Sequence, residues 1–245
     1  MKKVAINQSN YLPWKGYFDI IHDVDVFIFY DDVQFTKNDW RNRNKVKCAG
    51  GLQWFTVPVG DHVHRSIRDV EIRDHHWQIK HWKTLNQAYG KAPHFRDFRG
   101  FLESVYLDLR WDSLSELNQH LTRVIASDFL GIRTEWLQSS DLPRQGAKQE
   151  AVISLLNAVE AKLYVSGPAA QAYLQPERFE QEGIRLVWKD YSGYPEYPQI
   201  HPPFEHCVTI LDLLFHTGRD APYFIWGWRE DGVRGLEASR RLMIR

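Results

Sequence analysis

Short apolar runs alternate along this chain with longer stretches in which apolar residues recur every three or four positions. The short runs are rich in β-branched and aromatic residues and predict strands, whereas the wider spacing predicts amphipathic helices. The runs that predict strands are 3–6, 25–30, 52–59, 134–140, 162–167 and 184–191. The stretches that predict helices are 13–24, 75–89, 98–109, 113–132, 148–161, 176–183 and 209–218.

Local signals mark several helix ends. Pro13 suits the first turn of its helix, Ser113 and Glu116 have the spacing of a capping box, and Gly218 predicts a stop. Because strands and helices alternate, we expect an α/β fold: a largely parallel sheet flanked by helices, with an additional helical portion around residues 75–130. The 245 residues show no internal repeat and no linker, which predicts a single domain, 1–245.

The charge balance of the chain and its lack of long apolar stretches limit the kinds of partner that the sequence predicts. The 31 basic residues balance the 31 acidic ones, which argues against nucleic acid and against a polybasic membrane arm. Because no apolar stretch has the length of a membrane span or a signal segment, we expect a cytoplasmic protein without membrane insertion. Cys48 and Cys207 lack metal or disulfide spacing, and the histidine pairs at 62–64 and 75–76 lack a third ligand. No metal is predicted, and the cofactor is left unassigned.

The loop after the first predicted strand concentrates amides and aromatic rings. Ligands of open α/β sheets bind beyond the carboxyl ends of strands, and the N-terminus of the following helix favours an anion. Tyr11 and Trp14 are three positions apart and are predicted to share one aromatic face, suited to a sugar or a base. We therefore predict substrate binding by Asn7, Gln8, Asn10, Tyr11 and Trp14. The alternative is a turn whose amides satisfy only nearby backbone groups.

The segment after the second predicted strand contains many charged residues. Asp31, Asp32 and Lys37 are candidate catalytic residues, because carboxylates at a strand end can hold a cation or orient an amine. Arg43 is predicted to point into the pocket, since its guanidinium matches carboxylate and phosphate. The further binding candidates here are Gln34 and Asn44. A solvated loop is the alternative for the whole segment.

Two later strand ends and one helix complete the predicted site. Ser166 offers a hydroxyl, Gly167 allows close backbone approach, and Ser139 lies at another strand end, so all three are assigned to substrate binding. His81 lies between Lys80 and Lys83 in the helix 75–89 and is a further catalytic candidate. An ordinary cationic helix face explains His81 equally well.

Several long segments resemble the WbqC-like protein family, in order from about residue 4 to 218: INQSNYLPWKGYFDII, VFIFYDDVQFTKNDWRNRNKVK, WFTVPV, SSDL, YVSGPAAQAYL and ILDLLFHTG. Members are often encoded among genes for O-antigen, surface polysaccharide or modified sugars, so the resemblance implies that context. The family's first motif usually reads His-Gln-Pro, whereas this chain has Asn7-Gln8-Ser9. An amide does not titrate near neutral pH, so Asn7 cannot replace a histidine base.

These observations together predict an enzyme of surface-polysaccharide (O-antigen-type) or modified-sugar biosynthesis. It would transfer a group onto a sugar or its amine from a phosphorylated or activated small molecule, either a nucleotide-linked sugar or an activated acyl donor. Two alternatives stay open, because no pair of nucleophile and base stands out in the sequence. One is a non-catalytic nucleotide-sugar or glycan-binding protein, and the other is a scaffold protein of the same pathway.

Overall fold

The computed structural model describes residues 1–230, and the expected domain 1–245 therefore extends beyond the described residues. The strands are β1 (Lys3–Asn7), β2 (Val26–Phe29), β3 (Arg43–Cys48), β4 (Gly51–Thr56), β5 (Glu135–Gln138), β6 (Leu163–Ser166) and β7 (Arg185–Trp188). The α-helices are α1 (Lys15–His22), α2 (His76–Tyr89), α3 (Arg99–Glu103), α4 (Leu114–Val124), α5 (Gln149–Ala158), α6 (Pro176–Gln181) and α7 (Ile210–Thr217).

Five of the strands form one parallel sheet in the order β5-β2-β1-β6-β7. The chain starts in the middle of this sheet, builds outward through β2 to β5, and then returns to add β6 and β7 on the other side of β1. The strand order thus reverses between β1 and β6, as in doubly wound α/β folds. The strands β3 and β4 form a separate antiparallel hairpin. The predicted α/β class, with its largely parallel sheet, is confirmed.

Both faces of the sheet are covered, which is why its strands lack a polar side. Successive side chains of a strand point to opposite faces, so Val4 and Ile6 pack on one face and Ala5 on the other. The face of Val4 packs against residues of α5 and α6, including Leu155 and Phe179. The face of Ala5 packs against a larger cluster drawn from α1, α2, α4 and α7.

The helical portion around residues 75–130 forms as predicted. It contains α2, α3 and α4, with π-helical turns at Ser104–Asp108 and Ile125–Phe129. The Ser113 side chain accepts a hydrogen bond from the Glu116 N–H at 3.3 Å, so the predicted cap of α4 is present. Within residues 1–230, no helix is both long and apolar enough to cross a membrane.

Two local predictions need correction. The first helix begins at Lys15, with extended Trp14 at its N-cap, so Pro13 lies before the helix and outside its first turn. Residues 43–48 are not among the runs predicted to be strands, but they form β3. That strand pairs with β4 from Arg43–Thr56 to Cys48–Gly51, and the backbone pairing with an apolar-rich partner overrides the polar sequence.

A buried ion cluster connects α1 to later parts of the chain. The Asp19 carboxylate, fully buried in α1, accepts hydrogen bonds from Arg229 at 2.9 and 2.6 Å and from the Tyr194 hydroxyl at 2.5 Å. The Lys189 ammonium lies 2.8 Å from the same carboxylate. Because Lys189 follows β7, this cluster connects α1 with the far edge of the sheet and with Arg229.

Candidate functional site

The strand β1 pairs with its two neighbours, β2 and β6, over different lengths. Pairing with β2 continues to the last residue of β1, Asn7, which lies opposite Phe29. Pairing with β6 stops at Val4, opposite Tyr164. Beyond Val4 the two strands therefore part and leave a crevice at the carboxyl edge of the sheet, where the strand order reverses. Ligands of open α/β sheets bind at such a crevice.

A cavity of about 510 Å³ lies in this crevice, and we call it the switch cavity. Its volume is within the roughly 300–1,000 Å³ typical of small-molecule sites. Side chains from β1, β6, the segment after β2 and the start of α5 contribute to its wall. The lining residues are Ile6, Asn7, Gln8, Tyr30, Val33, Lys148, Val152, Tyr164 and Tyr173.

The turn at Asn7 and Gln8 is fixed by its own hydrogen bonds. The Asn7 Oδ1 accepts from the Gln8 N–H at 3.0 Å, and the Gln8 carbonyl accepts from the Tyr17 hydroxyl at 2.8 Å. The side-chain amide of Gln8, in contrast, makes no hydrogen bond within residues 1–230. The turn thus holds its backbone in place and leaves one amide group to face the cavity.

The polar lining of the switch cavity favours an anion. Burial raises the pKa of Tyr164 to about 12 and also raises that of Tyr173, so both phenols are neutral hydrogen-bond donors. Lys148 contributes an ammonium group, and no carboxylate is among the lining residues that the structure describes. The backbone of Lys148 has φ +53°, which is uncommon for a residue with a side chain and holds it at the start of α5.

A further cation, Arg41, lies behind this site. Its side chain is only 13% exposed, one Nη donates to Asn10 Oδ1, and the other lies 3.7 Å from the Asp39 carboxylate. Its buried Nε has no partner among the described residues. Burial lowers the pKa of Arg41. Burial raises the pKa of Tyr173, and the positive charge of Arg41 acts in the opposite direction by lowering it. A buried cation with so few acceptors adds positive potential next to the switch cavity.

The two predicted catalytic aspartates bind protein groups in this structure. Asp31 is 3% exposed and accepts from the Ser9 N–H at 2.8 Å, from Gln119 at 3.1 Å and from the Ser115 hydroxyl. Asp32 accepts from the Ser139 hydroxyl and forms an ion pair of 2.9 Å with Arg144. Both carboxylates therefore hold loops together, and neither lines the switch cavity. Ser139, predicted to bind substrate, is buried in the second of these contacts.

Tyr11 and His81 lie in the core, so the structure corrects their expected exposure to a ligand. Tyr11 has no exposed surface, and its hydroxyl lies 2.8 Å from His81 Nδ1 and 2.6 Å from the Tyr106 hydroxyl. Burial lowers the pKa of His81 to about 3, which keeps the imidazole neutral. The position of His81 between two lysines indicated an exposed side chain. In the structure His81 lies on the apolar face of α2, whereas Lys80 and Lys83 lie on the opposite, exposed face.

Asn44 also serves the protein backbone. Its Nδ2 donates to the Leu12 carbonyl at 2.6 Å and lies 3.4 Å from the Tyr11 carbonyl. Leu12 has φ +45°, a strained conformation for a leucine that this contact helps to hold. Asn44 thus stabilises the loop from β3, and its amide nitrogen is occupied by backbone carbonyls.

The remaining residues of the charged segment lie away from the switch cavity. The Arg43 guanidinium stacks 3.9 Å from the centre of the Trp54 ring, which corrects the expectation that it points into the pocket. Lys37 pairs with Asp61 at the surface, and exposed Gln34 bridges to Ser66. All three residues follow Asp31 in the sequence, but the chain leaves the sheet edge after that residue.

The end of β6 contributes less than its sequence suggests. Ser166 is 6% exposed, and its side chain forms a hydrogen bond with Tyr164. Burial raises the pKa of Tyr164, whereas this hydrogen bond lowers it. Ser166 therefore supports a tyrosine of the cavity wall. A side chain at Gly167 would meet only the Tyr191 hydroxyl, at 3.6 Å, so crowding does not require glycine there. The cavity residues that were not predicted are Tyr30, Tyr164, Tyr173, Lys148 and the apolar Ile6, Val33 and Val152. The first two were read as strand residues, and no local signal separates them from core tyrosines.

Asn10 and Trp14 lie on the other side of the first loop. They line a second, smaller cavity of about 170 Å³ together with Pro13, Trp40, Asn44 and Cys207. The first loop therefore has two sides: Asn7 and Gln8 line the switch cavity, and Asn10, Pro13 and Trp14 line this cleft. No group of three or more metal-ligating side chains capable of holding an ion occurs in the part of the chain that the structure describes.

The fold is that of a doubly wound α/β protein with a candidate small-molecule site at its strand reversal. The chain belongs to the WbqC-like protein family, whose family model matches residues 8–223. It is similar to the uncharacterized protein Rv1507c of Mycobacterium tuberculosis (strain ATCC 25618 / H37Rv), with 45% identity over 227 residues. The match covers 92% of this chain and 98% of that relative. No solved structure matches the chain significantly.

Proposed function

We propose that this protein binds a phosphorylated or otherwise activated small molecule in the switch cavity and transfers a group from it to a sugar or a sugar amine. The observation that carries the proposal is the lining of that cavity: three tyrosines, two amides and Lys148, with no carboxylate among the described lining residues. Neutral phenols and amides donate to phosphate oxygens or hydroxyl groups, and the ammonium group offsets negative charge.

A nucleotide-linked sugar or an activated acyl compound fits this lining. Each combines a ring, which can contact Tyr30 or Tyr173, with phosphate groups that suit Lys148 and the potential of Arg41. The family's frequent occurrence among genes for O-antigen and modified sugars supports a place in surface-polysaccharide biosynthesis, acting in the cytoplasm as one domain. With a nucleotide-linked sugar, the acceptor oxygen or nitrogen would bond to the anomeric carbon while the bond from that carbon to the diphosphate breaks. Lys148 would offset the charge of the departing nucleoside diphosphate and the acceptor's proton would pass to water, so this role needs no histidine at position 7. With an acyl thioester, the acceptor would bond to the acyl carbon and the carrier thiol would leave with that proton.

A second candidate function is binding without catalysis. It is favoured because Asp31 and Asp32 are engaged with protein groups and His81 is in the core, so none of these three lies at the switch cavity. Turnover separates the two functions. Product detected by mass spectrometry after incubation with donor and amino-sugar acceptor supports the transferase, whereas ligand-induced stabilisation without product supports a binding protein.

The test of the site uses thermal unfolding with UDP-glucose, UDP-N-acetylglucosamine and acetyl-coenzyme A as probes. A probe at about 100 times its Kd stabilises the native state by about 2.7 kcal/mol, a rise in Tm of roughly 5–10 °C for a chain of this size. Gln8→Ala should retain its Tm without probe and lose most of the rise. Gln34→Ala is the matched control, since that exposed glutamine also follows a strand but lies outside the cavity. If no probe raises Tm, or if Gln8→Ala responds fully, the switch cavity is not the site for these compounds.

A further inference from the structure

The second cavity, which we call the indole cleft, has walls of unusual composition for its size. Its lining consists of Asn10, Pro13, Trp14, Trp40, Asn44 and Cys207. Two indole rings and a proline ring provide most of the apolar wall. At about 170 Å³ it is below the roughly 300 Å³ at which typical pockets for whole ligands begin, so it suits one ring of a larger molecule.

The inner indole is held rigidly. The Trp14 ring packs edge-on against Tyr191 and Tyr194, with centroid distances of 5.0 and 6.0 Å. Gly16 makes room for it, because a Cβ at that position would lie 2.3 Å from the Trp14 ring. A ligand ring that stacks on Trp14 therefore meets a surface whose conformation is already fixed, and little entropy is lost on binding.

The outer indole remains open to solvent. Trp40 is 42% exposed and its ring centroid lies 5.8 Å from that of Trp54, which is 45% exposed. A single exposed apolar side chain is common at protein surfaces, but two in contact at the mouth of a cleft indicate a contact surface. Trp54 lies outside the cleft lining, beneath the Arg43 guanidinium.

The polar groups of the cleft are few and their orientation is set. Arg41 occupies the Asn10 Oδ1, which leaves the Asn10 NH₂ group as a donor. Burial, followed by the charge of Glu205, raises the pKa of Cys207, so its thiol is neutral. The Asn44 NH₂ group is directed to the Leu12 carbonyl. One amide donor between two aromatic faces is the arrangement that suits a ring with an apolar C–H face and hydroxyl groups at its edge.

We propose that the indole cleft binds one pyranose ring of a saccharide, with its C–H face on Trp14 and Trp40 and a hydroxyl group accepting from Asn10. Residues 7–8 line the switch cavity and residues 10, 13 and 14 line the cleft, so the two sites share one loop. The saccharide in the cleft is then the acceptor of the transferred group. The binding of the ring stands on the cleft alone, and its role as acceptor rests on the proposed function.

Cys207 provides a built-in reporter for the test. The chain contains two cysteines, and Cys48, on β3, lies outside the cleft lining and serves as an internal control. Alkylation of each thiol by iodoacetamide is followed over time by peptide mass spectrometry. The probes are the methyl glycosides of glucose, galactose and N-acetylglucosamine, at on the order of 10 mM to saturate a site whose Kd is about 1 mM (−4.1 kcal/mol). Uridine at equal concentration tests whether a base stacks there instead.

We expect at least one methyl glycoside to slow alkylation of Cys207 about fivefold or more while leaving Cys48 unchanged. Trp40→Ala should abolish this protection, and Tyr223→Ala, which removes an aromatic ring of similar exposure (44%) outside the cleft lining, should retain it. Unchanged alkylation of Cys207 with every glycoside, or protection by uridine alone, overturns the inference.

The test of saccharide binding in the indole cleft can be distinguished from the test of donor binding in the switch cavity. Gln8→Ala should lose the stabilisation by nucleotide-linked donors and keep the glycoside protection of Cys207. Donor stabilisation without any glycoside protection refutes the indole cleft as a saccharide site and leaves the switch cavity intact. If glycosides protect Cys207 but no donor stabilises the protein and no product forms, the indole cleft still binds a saccharide ring. It is then not the acceptor site of a transferase.

Discussion

The pair of Tyr11 and His81 gives a sharp prediction about the acid stability of the core. Burial lowers the pKa of His81 from 6.5 to about 3, so the folded protein keeps this imidazole neutral between those values while the unfolded chain protonates it. The unfolded state then binds the extra proton, and stability falls as pH decreases below 6.5. At pH 5 the difference is about 1.5 pH units, or about 2 kcal/mol at 1.36 kcal/mol per unit.

The measurement is urea unfolding at pH 7 and pH 5 for the native chain and for His81→Gln. The variant loses part of its stability at both pH values, because it alters the contact with the Tyr11 hydroxyl. Its amide does not titrate, so its loss between pH 7 and pH 5 should be smaller than that of the native chain by about 2 kcal/mol. His76→Gln, at an exposed position of the same helix, should stay within about 0.5 kcal/mol of the native chain at both pH values. Equal losses for the native chain and His81→Gln would refute the reasoning, since His81 would then protonate as readily in the folded state.

Three further substitutions test the fold by the free energy of unfolding in urea. Asp19→Ala leaves buried Lys189 with Asp23 as its remaining carboxylate and takes the Asp19 carboxylate away from the partly exposed Arg229, so it should cost about 3 kcal/mol; a loss below 1 kcal/mol would show that the cluster is solvated. Ser113→Ala removes the cap of α4 and should cost about 1 kcal/mol, and restoration by Ser113→Thr checks that the hydroxyl is responsible. Gly218→Ala should cost more than 1 kcal/mol, because φ is +57° and the new Cβ would lie 2.6 Å from the ring of His94; an unchanged Tm would contradict this geometry.

The strands and helices around the sheet could be predicted because their signals are local. The run at β1, the cap at Ser113 and the stop at Gly218 each depend on a few neighbouring residues, and the structure has all three. The strand β3 could not be predicted in this way. Its six residues alternate three cations with Asn44, Val46 and Cys48, a run too polar to stand out as a strand, and β4 pairs with it along its whole length.

The candidate site was harder to predict for a related reason. Asn7 and Gln8 could be placed at the sheet edge because they lie at the end of a strand, and the carboxyl edge of a parallel sheet is where such residues meet. Tyr11 follows the same strand and looks equally exposed in sequence, but contacts with Tyr106, which is distant in the chain, place it in the core. Arg41 and Arg43 are indistinguishable in sequence, and only the packing of Trp54 over one of them separates a buried cation from a stacked one.

The helical portion contributes no lining residue to either cavity, yet it determines the shape of the loop between them. Asn118 of α4 donates to the Arg41 carbonyl at 2.8 Å and lies 3.4 Å from the Ser9 hydroxyl, and Ser115 and Gln119 hold the carboxylate that anchors the Ser9 N–H. The shape of the sheet edge is therefore partly encoded about a hundred residues away from it. An exchange in α4 would move the loop between the two cavities while every wall residue stays the same. Two chains with identical wall residues could then have cavities of different shape.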